Sequence, residues 1–375
     1  MQFFESLLAS FTELSYKHVI MWLIGAVLIY LAIKKDMEPT LLLPIGFGAI
    51  LVNLPFSGAI SQMVDGALQE GPLTVLFDAG IANELFPLLL FIGIGAMIDF
   101  GPILSNPKLM MFGAAAQFGI FLTFFLALFF FDPKDAASIG IIGAADGPTA
   151  IVVANKLDSK FLSAIMVAAY SYMALVPIIQ PPVIKALTTR KERLIRMNYS
   201  PKAVSKTTRI VFPIAITIVV GFVAPSSVSL VGFLMFGNLL RECGVLDQLS
   251  ETAQKVLANL ITLFLGLTIA SQMQADQFLK GETLLILGLG LFAFVFDTAG
   301  GVIFAKILNL FLKEKINPMI GAAGISAFPM SGRVVHKLGL EEDNSNFLLM
   351  HSMGVNVSGQ IASVIAGGLI LNFFM

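Results

Sequence analysis

Twelve apolar segments run through the sequence, and their number and order restrict the fold more than any other feature. They lie near residues 18–33, 39–55, 85–99, 109–131, 137–154 and 161–180, and then, after a polar interval, near 207–224, 227–240, 256–272, 282–312, 317–333 and 346–372. About 20 apolar residues are enough to cross a bilayer as a helix, and shorter segments indicate half-spans. Only 13% of the residues are charged, compared with about 25% in soluble domains. The sequence therefore predicts an all-α polytopic membrane protein, and its net charge of −1 gives no reason to expect nucleic-acid binding.

The two sets of six segments are similar in sequence. IGAADGPTA (142–150) is similar to IGAAGISAF (320–328), and VVANKL and RVVHKL follow them in the same order. Together these matches predict a duplication with one repeat over 1–184 and the other over 207–375. We expect the first repeat to begin with an amphipathic helix lying at the membrane surface.

A basic linker over 185–206 separates the halves and contains a single acid, Glu192. By the positive-inside rule this linker is cytoplasmic. The first apolar segment ends at Lys34 and Lys35, so it runs inward, whereas its counterpart begins beside the linker and runs outward. The repeats are therefore predicted to be inverted, which requires an odd number of crossings in each half. We expect about ten membrane-crossing helices and two broken or re-entrant segments.

Asp146 interrupts the fifth apolar segment, in the stretch SIGIIGAADGPTA (138–150). Pro148 lacks an amide hydrogen and disfavours helix at the preceding residue, so an apolar helix should break here. The break exposes carbonyl groups beside a carboxylate, and sodium takes oxygen ligands of this kind. An ionisable group within a membrane indicates a functional site. The alternative is that Asp146 only caps the following helix.

The matching segment in the second half reads INPMIGAAGISAFPMSGR (316–333). Asn317 precedes a proline, Gly321 allows close approach of the backbone, and Ser326 offers an oxygen. Inverted repeats with discontinuous helices place ion sites near the bilayer midplane, between the halves. This second broken segment is therefore the expected partner of the first. Arg333 either reaches the interface with its charged end or binds an anionic group.

Two later segments contain polar groups within apolar helices. Tyr170 and Tyr172 lie on opposite sides of one helix, so only one of them can face a site. Asn356, Ser358 and Gln360 interrupt the last apolar segment, where they either join helices or line a site.

Asp297 is a further intramembrane acid, and Gly300 and Gly301 follow it, which predicts another break at this point. The sequence has no P-loop, dinucleotide fingerprint, CxxC or HExxH motif. Nucleotide hydrolysis and a metal cluster are therefore not indicated.

Five long motifs carry a family resemblance: GAADGPTAIVVANKL, AYSYMALVPIIQPP, GNLLRECGVLDQLSETAQ, NPMIGAAGISAFPMSGRVV and MGVNVSGQIAS. Over nearly its whole length the chain resembles the beta subunit of the biotin-dependent sodium-pumping decarboxylases, which act on oxaloacetate, methylmalonyl-CoA, glutaconyl-CoA or malonate. The resemblance implies that a carboxyltransferase alpha subunit loads biotin on a biotin carrier protein. The beta subunit then decarboxylates this carboxybiotin, consumes a proton from outside and exports sodium. It also implies a small single-span membrane subunit, a homo-oligomer of beta subunits and a location in the bacterial inner membrane.

The resemblance also assigns roles to individual residues. The sodium-linked aspartate is Asp146, and the family's tyrosine is Tyr172, which selects between the two tyrosines. The remaining assignments are Asn317, Gly321, Ser326, Arg333 and Asn356. Asp146, Tyr172 and Arg333 are expected to be catalytic, with Arg333 holding the carboxylate of carboxybiotin and Tyr172 delivering a proton. Sodium is expected at Asp146, Asn317, Gly321, Ser326 and Asn356.

Two questions remain open from the sequence, namely the helix geometry at Arg333 and the choice between a pump and a transporter. Arg333 is preceded by Met-Ser-Gly, where the family pattern would have small alanines, so the helix geometry at this arginine is not fixed by the resemblance. From the residues alone, a sodium-coupled secondary carboxylate transporter fits inverted repeats with broken helices equally well.

Overall fold

The structure is a computed structural model that describes residues 11–64, 66–197 and 203–375. The protein is mostly helical (77%), as the all-α prediction requires. Two short antiparallel strands, β1 (Gln62–Val64) and β2 (Ala67–Gln69), form a hairpin. Residues 1–10 of the expected N-terminal surface helix, and residues 198–202 of the basic linker, lie outside the described part of the chain.

The α-helices of the first half follow the apolar segments closely. They are α1 (Tyr16–Lys35), α2 (Pro39–Val52), α3 (Pro72–Gly80), α4 (Leu85–Met97), α5 (Gly101–Ser105), α6 (Met110–Ala116), α7 (Phe118–Ala127), α8 (Pro133–Gly140), α9 (Gly147–Lys156) and α10 (Leu162–Leu187). Short 3-10 turns precede α6 (Pro107–Leu109) and α9 (Ile141–Ala144).

The second half repeats the pattern of long helices and one interrupted segment. Its α-helices are α11 (Arg190–Arg193), α12 (Lys206–Val223), α13 (Val228–Glu242), α14 (Asp247–Thr252), α15 (Ala258–Ser271), α16 (Ala275–Phe278), α17 (Gly281–Phe311), α18 (Met330–Glu342) and α19 (Leu349–Phe374). A π-helical turn (Ala253–Leu257) joins α14 to α15, and 3-10 turns cover Pro225–Ser227 and Pro318–Gly324.

Within the described residues, six helical stretches are long and apolar enough to cross a membrane. The number rises to seven if α3 and α4, which are bent by 65° at a short break, form one span. The chain is therefore a multi-pass helical membrane protein. The larger number of about ten crossings and the inverted arrangement of the halves stay predictions.

The first broken segment changes direction at the predicted residues. The 3-10 turn Ile141–Ala144 ends at Ala145, which has a left-handed backbone (φ 52°), and Asp146 is extended (φ −120°). Pro148 lies in the first turn of α9, where a missing amide hydrogen leaves no hydrogen bond unmade. The local sequence thus ends one helix and begins the next within a few residues.

The second broken segment has less regular structure. Asn317 caps the 3-10 turn Pro318–Gly324 by accepting a hydrogen bond from Met319 N (3.1 Å). The chain then leaves helical geometry at Ile325 (φ −71°, ψ 156°) before α18 begins. A helix break in this region was predicted, and the structure has one.

The predicted break at Asp297 is wrong, because α17 is continuous from Gly281 to Phe311. The two glycines after Asp297 serve packing instead of a turn. A Cβ atom at Gly301 would overlap the carbonyl oxygen of Gly321 in the second broken segment, and one at Gly300 would lie 2.9 Å from Ala115 O. Glycine at these positions lets the backbones approach closely.

One face of α17 contacts both broken segments. A Cβ atom at Gly290 would lie 2.8 Å from Ile142 of the first segment and 2.9 Å from the ring of Tyr172. Three turns further along the helix, Gly301 lies against Gly321 of the second segment. This helix therefore packs against both breaks and helps to position them.

Candidate functional site

Asp146 is buried, with 3% of its surface exposed, and its two carboxylate oxygens have very different surroundings. Oδ2 accepts hydrogen bonds from Thr149 Oγ1 (2.7 Å), Ser363 Oγ (2.7 Å) and Gln360 Nε2 (3.1 Å). Oδ1 accepts only a long bond from Thr149 N (3.4 Å) among the described residues. All of these donors are neutral, and no ion pair within the described chain reaches this carboxylate. The site therefore brings a carboxyl group together with hydroxyl and amide side chains from two distant parts of the chain.

Helix capping accounts for only part of these contacts. The bond from Thr149 N to Asp146 Oδ1 makes Asp146 the N-cap of α9, but 3.4 Å is longer than a typical N–H···O bond. The shorter bonds come from side chains, and two of the donors belong to α19, which is distant in sequence.

Helix α19 connects the two broken segments. Gln360 and Ser363 contact Asp146 in the first, and Asn356 Nδ2 donates to Ile325 O in the second (2.7 Å). Residues three, four and seven apart lie on one face of a helix, so a single face carries all three. Asn356 Oδ1 is buried without a hydrogen-bond partner in the described part of the chain, which leaves it available as an oxygen ligand.

The two broken segments also contact each other directly. Ser326 donates to the carbonyl oxygen of Ala144 from both its backbone N (3.0 Å) and its Oγ (2.7 Å). Ala144 lies two residues before Asp146. The Ser326 hydroxyl is thus held near the start of the turn that presents the carboxylate.

Asn317 is buried and hydrogen-bonded to the linker. Its Nδ2 donates to Arg193 O (2.8 Å) and Ile195 O (2.9 Å), and its Oδ1 accepts from Met319 N. These bonds fasten the beginning of the second broken segment to the linker and do not reach Asp146. A sodium-binding role for Asn317 stays a prediction.

Gly321 acts through its backbone. A Cβ atom at Gly321 would overlap the carbonyl oxygen of Gly301, and the reciprocal overlap holds for Gly301. This glycine pair sets how closely the second broken segment approaches α17.

The linker after α10 is anchored to the second half by charged groups. Arg193 Nε lies 2.6 Å from Glu342 Oε1, and both side chains are only 14% exposed. Glu192 pairs with Lys306 at 3.3 Å. Burial alone would raise the pKa of Glu192, but hydrogen bonds from Thr189 and the ammonium group of Lys306 lower it below its ordinary value. The part of the linker around Glu192 and Arg193 is therefore held against the second half of the chain.

Arg333 lies in the first turn of α18 and is exposed. Its charge acts on Glu38, which follows α1. Burial raises the pKa of Glu38, and the positive charge of Arg333 opposes this increase. Arg333 thus lies close enough to the connection between α1 and α2 for its charge to act on Glu38, and its exposed side chain is accessible to a ligand.

Tyr170 and Tyr172 contact different neighbours. The ring of Tyr170 packs against Gly147, next to Asp146, and its hydroxyl has no hydrogen-bond partner within the described residues. The hydroxyl of Tyr172 donates to Leu287 O on α17. The family resemblance selects Tyr172, but it is Tyr170 that packs beside Asp146, whereas the hydroxyl of Tyr172 bonds to α17. A catalytic role for Tyr172 stays a prediction.

Sequence reasoning missed Thr149 and Ser363 as partners of Asp146. Thr149 lies three residues after the aspartate, which is a typical spacing for reciprocal contacts at a helix start. Ser363 lies seven residues after Asn356, which is two turns along the same face of the helix. Both spacings were visible in the sequence, but the rotation of α19 that directs Ser363 towards Asp146 was not.

These features define a class of protein, a multi-pass helical membrane protein with a buried carboxylate where two broken segments meet. The chain belongs to the family described as Na⁺-transporting oxaloacetate decarboxylase beta subunit, whose model matches residues 17–374. The predicted family resemblance is thereby confirmed, and the chain is a beta subunit of an ion-translocating decarboxylase.

Similar proteins include beta subunits with different substrates in their names. The chain is 49% identical to the methylmalonyl-CoA decarboxylase subunit beta of Propionigenium modestum, over 97% of this chain and 96% of that one. It is 48% identical to the subunit of the same name from Veillonella parvula, over 97% and 95%. It is 44% identical to the oxaloacetate decarboxylase beta chain of Haemophilus ducreyi, over 98% and 99%.

Proposed function

We propose that this chain is the membrane subunit of a sodium-translocating decarboxylase. It decarboxylates carboxybiotin carried by a partner protein and couples this step to sodium export, with consumption of an external proton. The observation that carries the proposal is the buried Asp146 carboxylate at a helix break, with only neutral donors around it in the described part of the chain. The complex would also contain a carboxyltransferase alpha subunit, a biotin carrier protein and a small single-span subunit.

Sodium would bind between Asp146 and the oxygens that converge on it. The hydroxyl groups of Thr149 and Ser363 lie 2.7 Å from Oδ2, and they can turn their hydrogens away and present lone pairs to an ion. The unpaired Asn356 Oδ1 and the Ser326 hydroxyl supply further oxygens from the second broken segment and α19. Asn317 and Gly321 would contribute by fixing that segment, as their contacts with the linker and with Gly301 suggest.

The chemical step requires a proton on the ureido nitrogen of carboxybiotin. The N–C bond then breaks, the bonding electron pair stays with the nitrogen that takes the proton, and carbon dioxide leaves. Arg333 would hold the carboxylate through paired hydrogen bonds, which its exposure supports. Tyr172 would deliver the proton, and its hydrogen bond to Leu287 O must break before it can do so.

The proposed topology comprises two inverted repeats, over 1–184 and 207–375, joined by a cytoplasmic linker over 185–206. About ten helices would cross the bacterial inner membrane, and several beta subunits would associate. The contact between Ser326 and Ala144 supports this arrangement, since it joins corresponding breaks in the two halves.

The test is the sodium dependence of carboxybiotin decarboxylation by the purified complex. Asp146→Asn is expected to abolish activation by sodium and the sodium-dependent increase in melting temperature. Asp135→Asn is the matched control, because Asp135 is equally buried but bonds to Ser159. Unchanged sodium activation in Asp146→Asn would refute the proposal.

A secondary sodium–carboxylate transporter is distinguished by its partners. Membership in the decarboxylase beta family favours the pump. An avidin blot of the material that co-purifies with the chain should reveal a biotinylated protein. Its absence, together with sodium-driven carboxylate uptake by the chain alone in vesicles, would favour the transporter.

A further inference from the structure

Asp297 is a second buried acid, and the mechanism above does not use it. It is completely buried on α17, about 24 Å along the helix from Gly281 at about 1.5 Å per residue. Its Oδ1 accepts hydrogen bonds from Gly119 N (2.5 Å) and Ile120 N (3.2 Å), at the beginning of α7. One carboxylate oxygen is thus well satisfied by backbone donors.

The other oxygen of Asp297 has no donor. Oδ2 is buried without a hydrogen-bond partner in the described residues. It lies against the first broken segment, where a Cβ atom at Gly143 would come within 2.5 Å of it. Burying an ionised carboxylate in a membrane interior has a large free-energy cost when one of its oxygens accepts no hydrogen bond. Either a cation or a proton must therefore accompany this group.

The packing favours a proton over a metal cation. The same Cβ position at Gly143 would also lie 2.8 Å from Ala293, so backbone and side-chain atoms fill the space beside Oδ2. A proton needs no such space. The helices that cross here also carry buried oxygens without hydrogen-bond partners within the described chain, namely Gln117 Oε1, Thr123 Oγ1 and Thr298 Oγ1. The amide oxygen of Gln117 can only accept a hydrogen bond, whereas the two threonine hydroxyls can donate as well as accept. A proton on Asp297 adds a donor to this part of the fold.

Among the described residues, no positively charged side chain pairs with Asp297, whose carboxylate accepts hydrogen bonds only from backbone N–H groups. Residues 110–127 of α6 and α7, and the turn Ile141–Ala144, contain no titratable group. The titratable groups on the other helices packed against α17, and on α17 itself, are Lys134, Asp135, Tyr170, Tyr172, Lys185, Asp276, Glu282 and Lys306. Asp146 lies three residues after Gly143, Tyr172 contacts α17 two turns earlier at Gly290, and Lys306 pairs with Glu192 at the linker.

We propose that Asp297 is a proton-binding site, separate from the cation site at Asp146. The first broken segment links the two acids, since it contains Asp146 and its Gly143 lies against Asp297. A movement of this segment that opens the cation site also uncovers Oδ2, so proton exchange and sodium exchange share one moving element. The use of this proton in the pump cycle rests on the proposed function, whereas its presence on Asp297 does not.

Infrared spectroscopy of the full chain in lipid at neutral pH tests the occupancy. A protonated carboxyl gives a carbonyl band separate from those of carboxylates and amides. This band should be reduced in Asp297→Asn, shifted in Asp297→Glu and retained in Asp146→Asn. Identical carbonyl regions in the wild type and Asp297→Asn would overturn the proposal.

Turnover of the whole complex tests the role of the proton. Asp297→Asn should decarboxylate about 100-fold more slowly, as expected for loss of a proton-transferring group, and Asp297→Glu should recover part of the rate. The sodium-dependent increase in melting temperature should persist in both variants, which also shows that they fold. Full turnover by Asp297→Asn would overturn the role in the cycle. If the wild type shows the infrared band but no stabilisation by sodium, the pump proposal fails and the proton site stands.

Discussion

Ser363 donates a 2.7 Å hydrogen bond to Asp146 Oδ2 across a separation of 217 residues. The bond joins the long helix α19 to the break in the first half of the chain. Gln360, one turn earlier, donates to the same oxygen. The carboxylate is therefore shared between two parts of the sequence, and changes in α19 should alter cation binding without touching the acid itself.

Replacing Ser363 tests this relationship. Ser363→Ala should raise the sodium concentration for half-maximal activation about tenfold, because a lost ligand or hydrogen bond to a charged group costs about 1.5 kcal/mol. Sodium titrations of decarboxylation by the purified complex measure the shift. Ser358→Ala is the control, since Ser358 Oγ donates locally to Val355 O. Equal sodium affinities in the two variants would contradict the assignment.

The glycine pair between α17 and the second broken segment should tolerate no side chain. Gly301→Ala is expected to lower the free energy of unfolding by about 1–3 kcal/mol, because the added methyl group overlaps Gly321 O in a packed interface. Gly288→Ala on the same helix has no atom within 4 Å of the new Cβ and should change stability little. The melting temperatures of the two variants in detergent measure the difference. Equal effects would show that the close contact between Gly301 and Gly321 does not contribute to stability.

The contacts of the linker predict that Glu342 contributes more to the stability of the fold than its neighbour Glu341. Glu342→Gln should destabilise the fold by about 1–3 kcal/mol, because it weakens a short and largely buried bond to Arg193. Glu341 pairs with Lys185 at 3.6 Å, and both side chains are about half exposed, so Glu341→Gln should cost about 0–1 kcal/mol. Denaturation of both variants at low and high salt gives the comparison. A larger loss in Glu341→Gln would contradict the importance of the Arg193 pair.

The two buried tyrosines should respond differently to loss of the hydroxyl. Tyr172→Phe should slow decarboxylation about 100-fold if its hydroxyl supplies the proton, and should lower stability by about 1 kcal/mol through the bond lost to Leu287 O. Tyr170→Phe removes a hydroxyl without a partner in the described chain and should leave stability unchanged or slightly increased. Rates and melting temperatures of both variants decide the matter. A rate loss confined to Tyr170→Phe would move the proton-donor role to Tyr170.

The sequence predicted features that depend on local chemistry. The break at Asp146 follows from Pro148 and the adjacent glycines, and the polar start at Asn317 follows from the next proline. The helix positions follow the apolar segments, because burial in lipid requires continuous apolar surface. None of these features needs knowledge of the tertiary contacts.

Features that depend on packing between distant helices were missed or misread. Gly300 and Gly301 were interpreted as a break near Asp297, but α17 is continuous there. These residues are glycines because a side chain at either position would overlap the neighbouring backbone. Ser363 resembled any small residue in a membrane helix, since only the rotation of α19 directs it towards Asp146. The amide of Asn317 bonds to linker carbonyls that sequence spacing does not bring near it, and the expected role of Asn317 at the ion stays a prediction.

The long interval between Asp146 and Ser363 matters during synthesis of the protein. When the first break emerges from the ribosome, Thr149 is the only one of the three side-chain donors already made, and 217 residues separate Asp146 from the serine that completes the set. Throughout that interval a half-built protein must keep an aspartate away from lipid. The hydrogen-bonded surroundings of Asp146 are therefore completed late in biogenesis, only after α19 has been made.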